Sequence, residues 1–150
     1  MISLQNPDLT QHPPRSPRVR LGGYVVLPRI IDKARAHLAG RLGDYKWNNP
    51  LDQRLFTFLG VTAEQFLDAA RACRSDTEFL GWVTASAQPK RESWEIAAWS
   101  QWLENLAPGD ARRHTAFASD ITAHCPDRDD IRTIFDRLDM DDYVTFGGRA

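Results

Sequence analysis

Asn49-Pro50 and Gly60 bracket one ten-residue stretch, and that bracket constrains the fold more than any other feature of the chain. Asn caps a helix, Pro fits the first helical position because its missing N–H has no partner there, and Gly ends one. Between them Leu51, Leu55, Phe58 and Leu59 supply the i, i+4, i+7, i+8 face of an amphipathic helix. The same punctuation recurs. Thr62 with Gln65 reads as a capping box, with Val61 and Phe66 placed as a hydrophobic staple, and Ser75 with Glu78 repeats the box. Ser93 is a cap ahead of Ile96, Trp99, Leu103 and Leu106, with Pro108-Gly109 as the stop. Asp110 opens a helix containing Phe117 and Ile121 that ends before Pro126. Asp127 opens another, with Ile131, Ile134, Phe135 and Leu138 in register.

Upstream, Leu27, Ile31, Ala34 and Leu38 form the apolar stripe of a first helix with Pro28 in its opening turn and Gly40 as its stop. Residues 1–23 carry Pro7, Pro13, Pro14 and Pro17 and no helical period, so they read as an extended arm. No hairpin dipeptide separates alternating runs. The expectation is an all-α fold: about seven short helices in one bundle, residues 24–146, with the arm packed on or near it, all within a single domain of 150 residues.

The net charge of -1 conceals a division. Residues 1–50 hold eight Lys/Arg against three Asp/Glu, whereas residues 51–150 hold eleven against seventeen. Either the basic segment clasps an acidic body, or it holds an external anion. Arg15, Arg18 and Arg20 lie on the stiff arm, and Arg29, Lys33, His37 and Arg41 recur every fourth residue along the first helix, opposite its apolar stripe. Rigid, closely spaced cations repel one another unless something negative sits among them. Asp139, Asp141 and Asp142, or Asp127, Asp129 and Asp130, are internal candidates for that role.

The leading functional expectation is a pocket between arm and first helix that takes a small phosphate- or carboxylate-bearing ligand. Arg18, Arg20, Arg29 and Lys33 are its cationic contacts and Asp32 orients a guanidinium. A second reading is an enzyme at the same place, with Asp32, Asp52 or Tyr45 moving a proton. A third is a protein-interaction module using the arm or the helix bearing Trp94, Trp99 and Trp102, one of which is left to line a groove or partner surface. The short positive region, with no aromatic residues interleaved, argues against nucleic acid. The histidines show no metal-ligand spacing, the acidic runs lack the glycine of a calcium loop, and no motif calls for a cofactor or a metal. Cys73 and Cys125 read as free thiols of a cytoplasmic protein, with neither a signal peptide nor a membrane-length apolar run.

Several stretches together resemble a known family. They are Asp8-Leu9-Thr10, PPRSPRVRLGGY, Leu27-Pro28-Arg29, Ile31 to Ala36, Gly40, Gly43, Tyr45 and Pro50-Leu51-Asp52, with Glu95 to Trp99 and Leu138-Asp139 further on. The family is the bacterial one catalogued as domain of unknown function 5069. The resemblance implies a stand-alone cytoplasmic domain with the arm as an integral part, and it carries over no catalytic residues.

Overall fold

The computed structural model describes residues 5–148. They form seven α-helices: α1 Leu27–Leu38, α2 Pro50–Leu59, α3 Ala63–Ala72, α4 Asp76–Ser86, α5 Ser93–Glu104, α6 Ala111–His124 and α7 Ile134–Thr145. No strand occurs among the described residues; a single bridge joins Leu21 to Tyr24 around the Gly22-Gly23 turn. The all-α bundle foreseen from the caps is the observed architecture.

Local chemistry explains most boundaries. The Asn49 side chain accepts from the Asp52 N–H while the Asp52 side chain accepts from the Asn49 N–H, and Thr62 and Gln65 reciprocate in the same way. Ser75 accepts from Glu78 N–H, but Glu78 turns its carboxylate to the Arg74 N–H, so that box is half made. Two boundaries differ from expectation. The cap of α5 is Glu92, whose backbone N–H donates to the Glu95 carboxylate, so Ser93 is already the first helical residue. The last helix starts at Ile134 behind a Thr133–Asp136 capping box, not at Asp127. Residues 126–133 stay irregular because a box at Thr133 satisfies more backbone donors than a lone aspartate further back.

The largest departure concerns α1. Every residue from Leu27 to Ala36 is buried, the charged Arg29, Asp32, Lys33 and Arg35 included. The cationic row set opposite the apolar stripe is thus enclosed at Arg29 and Lys33, and the helix runs through the middle of the molecule. Its apolar side joins Leu55, Phe56, Leu59, Phe66, Phe79, Val83 and Leu103 in the main core. Phe66 is the hub of the aromatic packing there, with Phe79 at 4.8 Å, Phe56 at 5.1 Å and Trp82 edge-on at 5.8 Å. A smaller core of Phe117, Cys125, Ile131 and Met140 lies beneath α6 and α7.

The arm packs against the body. Pro7, Leu9, Pro14 and Pro17 are buried, Leu9 N–H donates to the Arg41 carbonyl and Val26 N–H to that of Pro17. At the joint with α1, Ser100 of α5 is buried; its hydroxyl accepts from Val25 N–H at 3.2 Å and donates to the Gly23 carbonyl at 2.9 Å. That clamp helps to hold the adjoining Val26 at φ 58°, a left-handed conformation unfavourable for a β-branched residue.

Candidate functional site

Five of the cations singled out from the sequence, Arg15, Arg18, Arg20, Arg29 and Lys33, are met by the protein's own carboxylates, whereas His37 stacks on Trp47. Lys33 Nζ lies 2.8 Å from both oxygens of Asp52 on α2. Arg29 grips Asp142 of α7 through two nitrogens at 2.7 and 3.2 Å, and Tyr45 donates its hydroxyl to the same carboxylate at 2.7 Å. Arg15 spans Asp32 on α1 and Asp76 at the start of α4, with nitrogen–oxygen distances from 2.5 to 3.2 Å. On the exposed side Arg18 pairs with Asp136 and Asp139, and Arg20 with Glu104. Asp32 accepts from the guanidinium of Arg15 at 3.0 Å and from the Arg15 backbone N–H at 2.9 Å.

Burial shapes the protonation of this web. It pushes the Lys33 ammonium down, with Asp52 opposing, and pushes the Asp52 carboxyl up in spite of Lys33. Burial, then the bond to Asp142, also raises the Tyr45 phenol. For Arg15 burial works against the charge, but the hydrogen bonds to Asp76 and Asp32 outweigh it and the guanidinium holds its proton more tightly than usual. Asp76 shows the converse: the bond from Arg15 keeps its carboxyl below the ordinary range.

The basic segment thus clasps the acidic body. Asp139 and Asp142, two of the expected internal partners, take part, whereas Asp130 pairs with Arg128 and, among the described residues, Asp127 and Asp129 form no ion pair with the arm. Asp76, Glu104 and Asp136 were not foreseen. Each lies at or near a helix end, where an acidic residue reads equally well as a partner of backbone N–H groups or as an ordinary polar terminus. Asp32 and Asp52 are 2% and 1% exposed, held in ion pairs, and Tyr45 points into the same web.

Unspent positive charge gathers elsewhere. A cleft of about 350 Å³ opens between α2, the loop joining α5 to α6, α6 itself and the start of α7. Leu106, Phe117 and Ile134 contribute apolar lining, and Arg54, Arg113 and Arg137 bring three guanidiniums. One carboxylate lines it, Asp120, 3.1 Å from Arg137. Arg113 has only Asp110 at 3.6 Å, with both side chains more than half exposed, a pairing of small worth in water. Arg54 makes no ion pair among the described residues; its guanidinium sits 5.5 Å from the centre of the Trp102 ring.

Arg54 also borders a second, more open hollow of about 540 Å³ walled by Phe58, Arg91, Trp99 and Trp102. Here Phe58 and Trp99 stack with centroids 4.6 Å apart and planes 6° off parallel, and Arg91 covers the Phe58 ring at 4.3 Å. Trp99 and Trp102, three residues apart on α5, both line this hollow; Trp94, 70% exposed, does not. Arg54 and the loop 106–109 escaped the sequence reading because no local pattern sets them apart. Only the docking of α2 against α5 and α6 brings them together.

Among the described residues no cluster of three or more His, Cys, Asp or Glu could hold a metal ion, and no helix is long and apolar enough to cross a membrane. Both cysteines are free, Cys125 buried and Cys73 half-buried. No curated protein matches the chain. Residues 11–144, from the arm through to the last turns of α7, match the family described as domain of unknown function (DUF5069), and the chain belongs to that family.

Proposed function

We propose that the protein binds a small organic anion, a phosphate or carboxylate with an apolar or planar body. The arm cluster was the first candidate for the place. An anion there would have to displace carboxylates already bonded to Arg15, Arg18, Arg20, Arg29 and Lys33, three of them from buried positions. The reading is better supported at the Arg54–Arg113–Arg137 cleft. One observation carries it: three guanidiniums against one carboxylate around an open, apolar-floored space of suitable size. Such a lining attracts a negative group and gives its carbon skeleton a place to lie. The arm web then serves as scaffold, fixing α1, α2, α4 and α7 so that the cleft keeps its shape. The two free thiols support a reducing compartment, and we place the protein in the cytoplasm.

Thermal unfolding in the presence of inorganic phosphate, ribose 5-phosphate and benzoate tests this. A ligand that prefers the folded state raises the melting temperature with saturation. At least one of the three does so, and the double variant Arg54→Gln/Arg137→Gln loses the shift while Arg18→Gln/Arg20→Gln keeps it. If the arm variant loses the shift instead, the site returns to the arm; if none of the three anions shifts the protein, the reading falls.

A further inference from the structure

The cleft and the aromatic hollow share a residue. Arg54 lines both, on an exposed face of α2. Resting on the Trp102 ring, it is a cation that no carboxylate holds down. Beyond it, the Arg91–Phe58–Trp99 stack is a prebuilt flat wall, fixed because Arg91 also donates from two nitrogens to the Phe58 carbonyl at 3.2 and 3.3 Å. Trp102, one turn on from Trp99, leaves 48% of its surface open beside that wall. A large aromatic side chain that is half exposed, next to an unpaired guanidinium and continuous with a positively lined cleft, has two needs that one ligand could meet.

From this continuity we infer that the ligand is a phosphate monoester carrying a planar heteroaromatic ring, of the size and chemistry of a nucleoside monophosphate. The inference rests on the anion-binding reading and assigns the rest of the molecule. The phosphate meets Arg113 and Arg137, Arg54 turns toward it, and the ring lies against the Trp99–Trp102 face. Stacking on an aromatic side chain depends little on which base is presented, since every base has a π face. The site therefore selects ring plus phosphate and tolerates purine or pyrimidine alike.

Titration calorimetry with AMP, UMP and ribose 5-phosphate decides the matter, with tryptophan fluorescence as a second signal. AMP and UMP bind about tenfold or more tightly than ribose 5-phosphate, the gain typical of one stacked base, and both quench tryptophan emission. Trp102→Ala brings the two nucleotides down to the affinity of ribose 5-phosphate, and Trp102→Phe restores most of the difference. Trp102 is too exposed for either change to threaten the fold, which far-UV circular dichroism verifies. Equal binding of the three compounds, or a nucleotide advantage that survives Trp102→Ala, overturns the ring assignment while leaving anion binding intact. No binding of any of the three overturns both.

Discussion

Lys33 and Asp52 meet in the interior, the ammonium nitrogen 2.8 Å from each carboxylate oxygen and both side chains almost fully enclosed. A pair this deep returns little net stability against two hydrophobic groups, because desolvation cancels much of the attraction, but severing it is costly. Lys33→Met strips the buried Asp52 carboxylate of its cationic partner, and is expected to destabilise by about 3–5 kcal/mol. Adding Asp52→Asn, which can still accept from the Asn49 N–H, recovers most of that loss. Urea unfolding of the two singles and the double gives the coupling directly; additive losses would show that the pair is not a unit.

Asp76 links the arm to α4 through Arg15, and its carboxyl is held below its ordinary value of 3.8. The unfolded chain therefore takes up this proton at a higher pH than the native protein does. The stabilisation from this group is fully present above the unfolded value and is lost as pH falls through the native one. Chemical unfolding followed from pH 6 down to pH 2 should show falling stability on the acid side, with a shallower slope for Asp76→Asn. An unchanged slope would mean that other carboxylates carry the acid sensitivity.

Ser100 is a buried hydroxyl that serves two backbone groups of the arm–α1 joint. Ser100→Ala leaves the Val25 N–H and the Gly23 carbonyl without this partner. A cost of about 1–3 kcal/mol follows, the usual penalty of an unmet buried polar group, measurable as a lowered melting temperature with helical content unchanged. A cost near zero would show that another group takes over the bonds.

Gly60 and Gly40 both end helices with positive φ, at 69° and 66°. A Cβ on Gly60 would fall 2.2 Å from the Gln88 carbonyl oxygen, while one on Gly40 would meet nothing within 4 Å. Gly40→Ala is expected to carry only the left-handed cost, roughly 1–2 kcal/mol. Gly60→Ala carries that and the displacement of the 87–89 backbone, so it should be clearly the worse of the two in thermal denaturation. Equal losses would remove the close approach as the reason for glycine at position 60.

The helices were legible because their ends are written locally: Asn49, Thr62 and Asp110 cap within three residues of themselves. Thr133 went unread because Asp127 offered a cap earlier in the chain, although the Thr133–Asp136 spacing is itself the local signal of a capping box. The direction that α1 faces was beyond local reading for a different reason. A row of Arg29, Lys33 and His37 on a helix normally means solvent, and only Asp142 and Asp52, 113 and 19 residues away, make burial of the first two tolerable. The charge division between the chain's two parts did disclose that a clasp was one of two outcomes. The cleft had no such trace, since Arg54, Arg113 and Arg137 are surface arginines on three separate helices until those helices dock.

The partners of Arg18, Arg29 and Ser16 sit in α7, between 113 and 123 positions further along the chain. A polypeptide emerging from the ribosome therefore exposes its arginines long before their counter-charges exist, and α1 has no finished interior to enter until the final helix arrives. Closure of the molecule therefore waits for α7, and a chain halted after α6 would keep Arg29 waiting in the open.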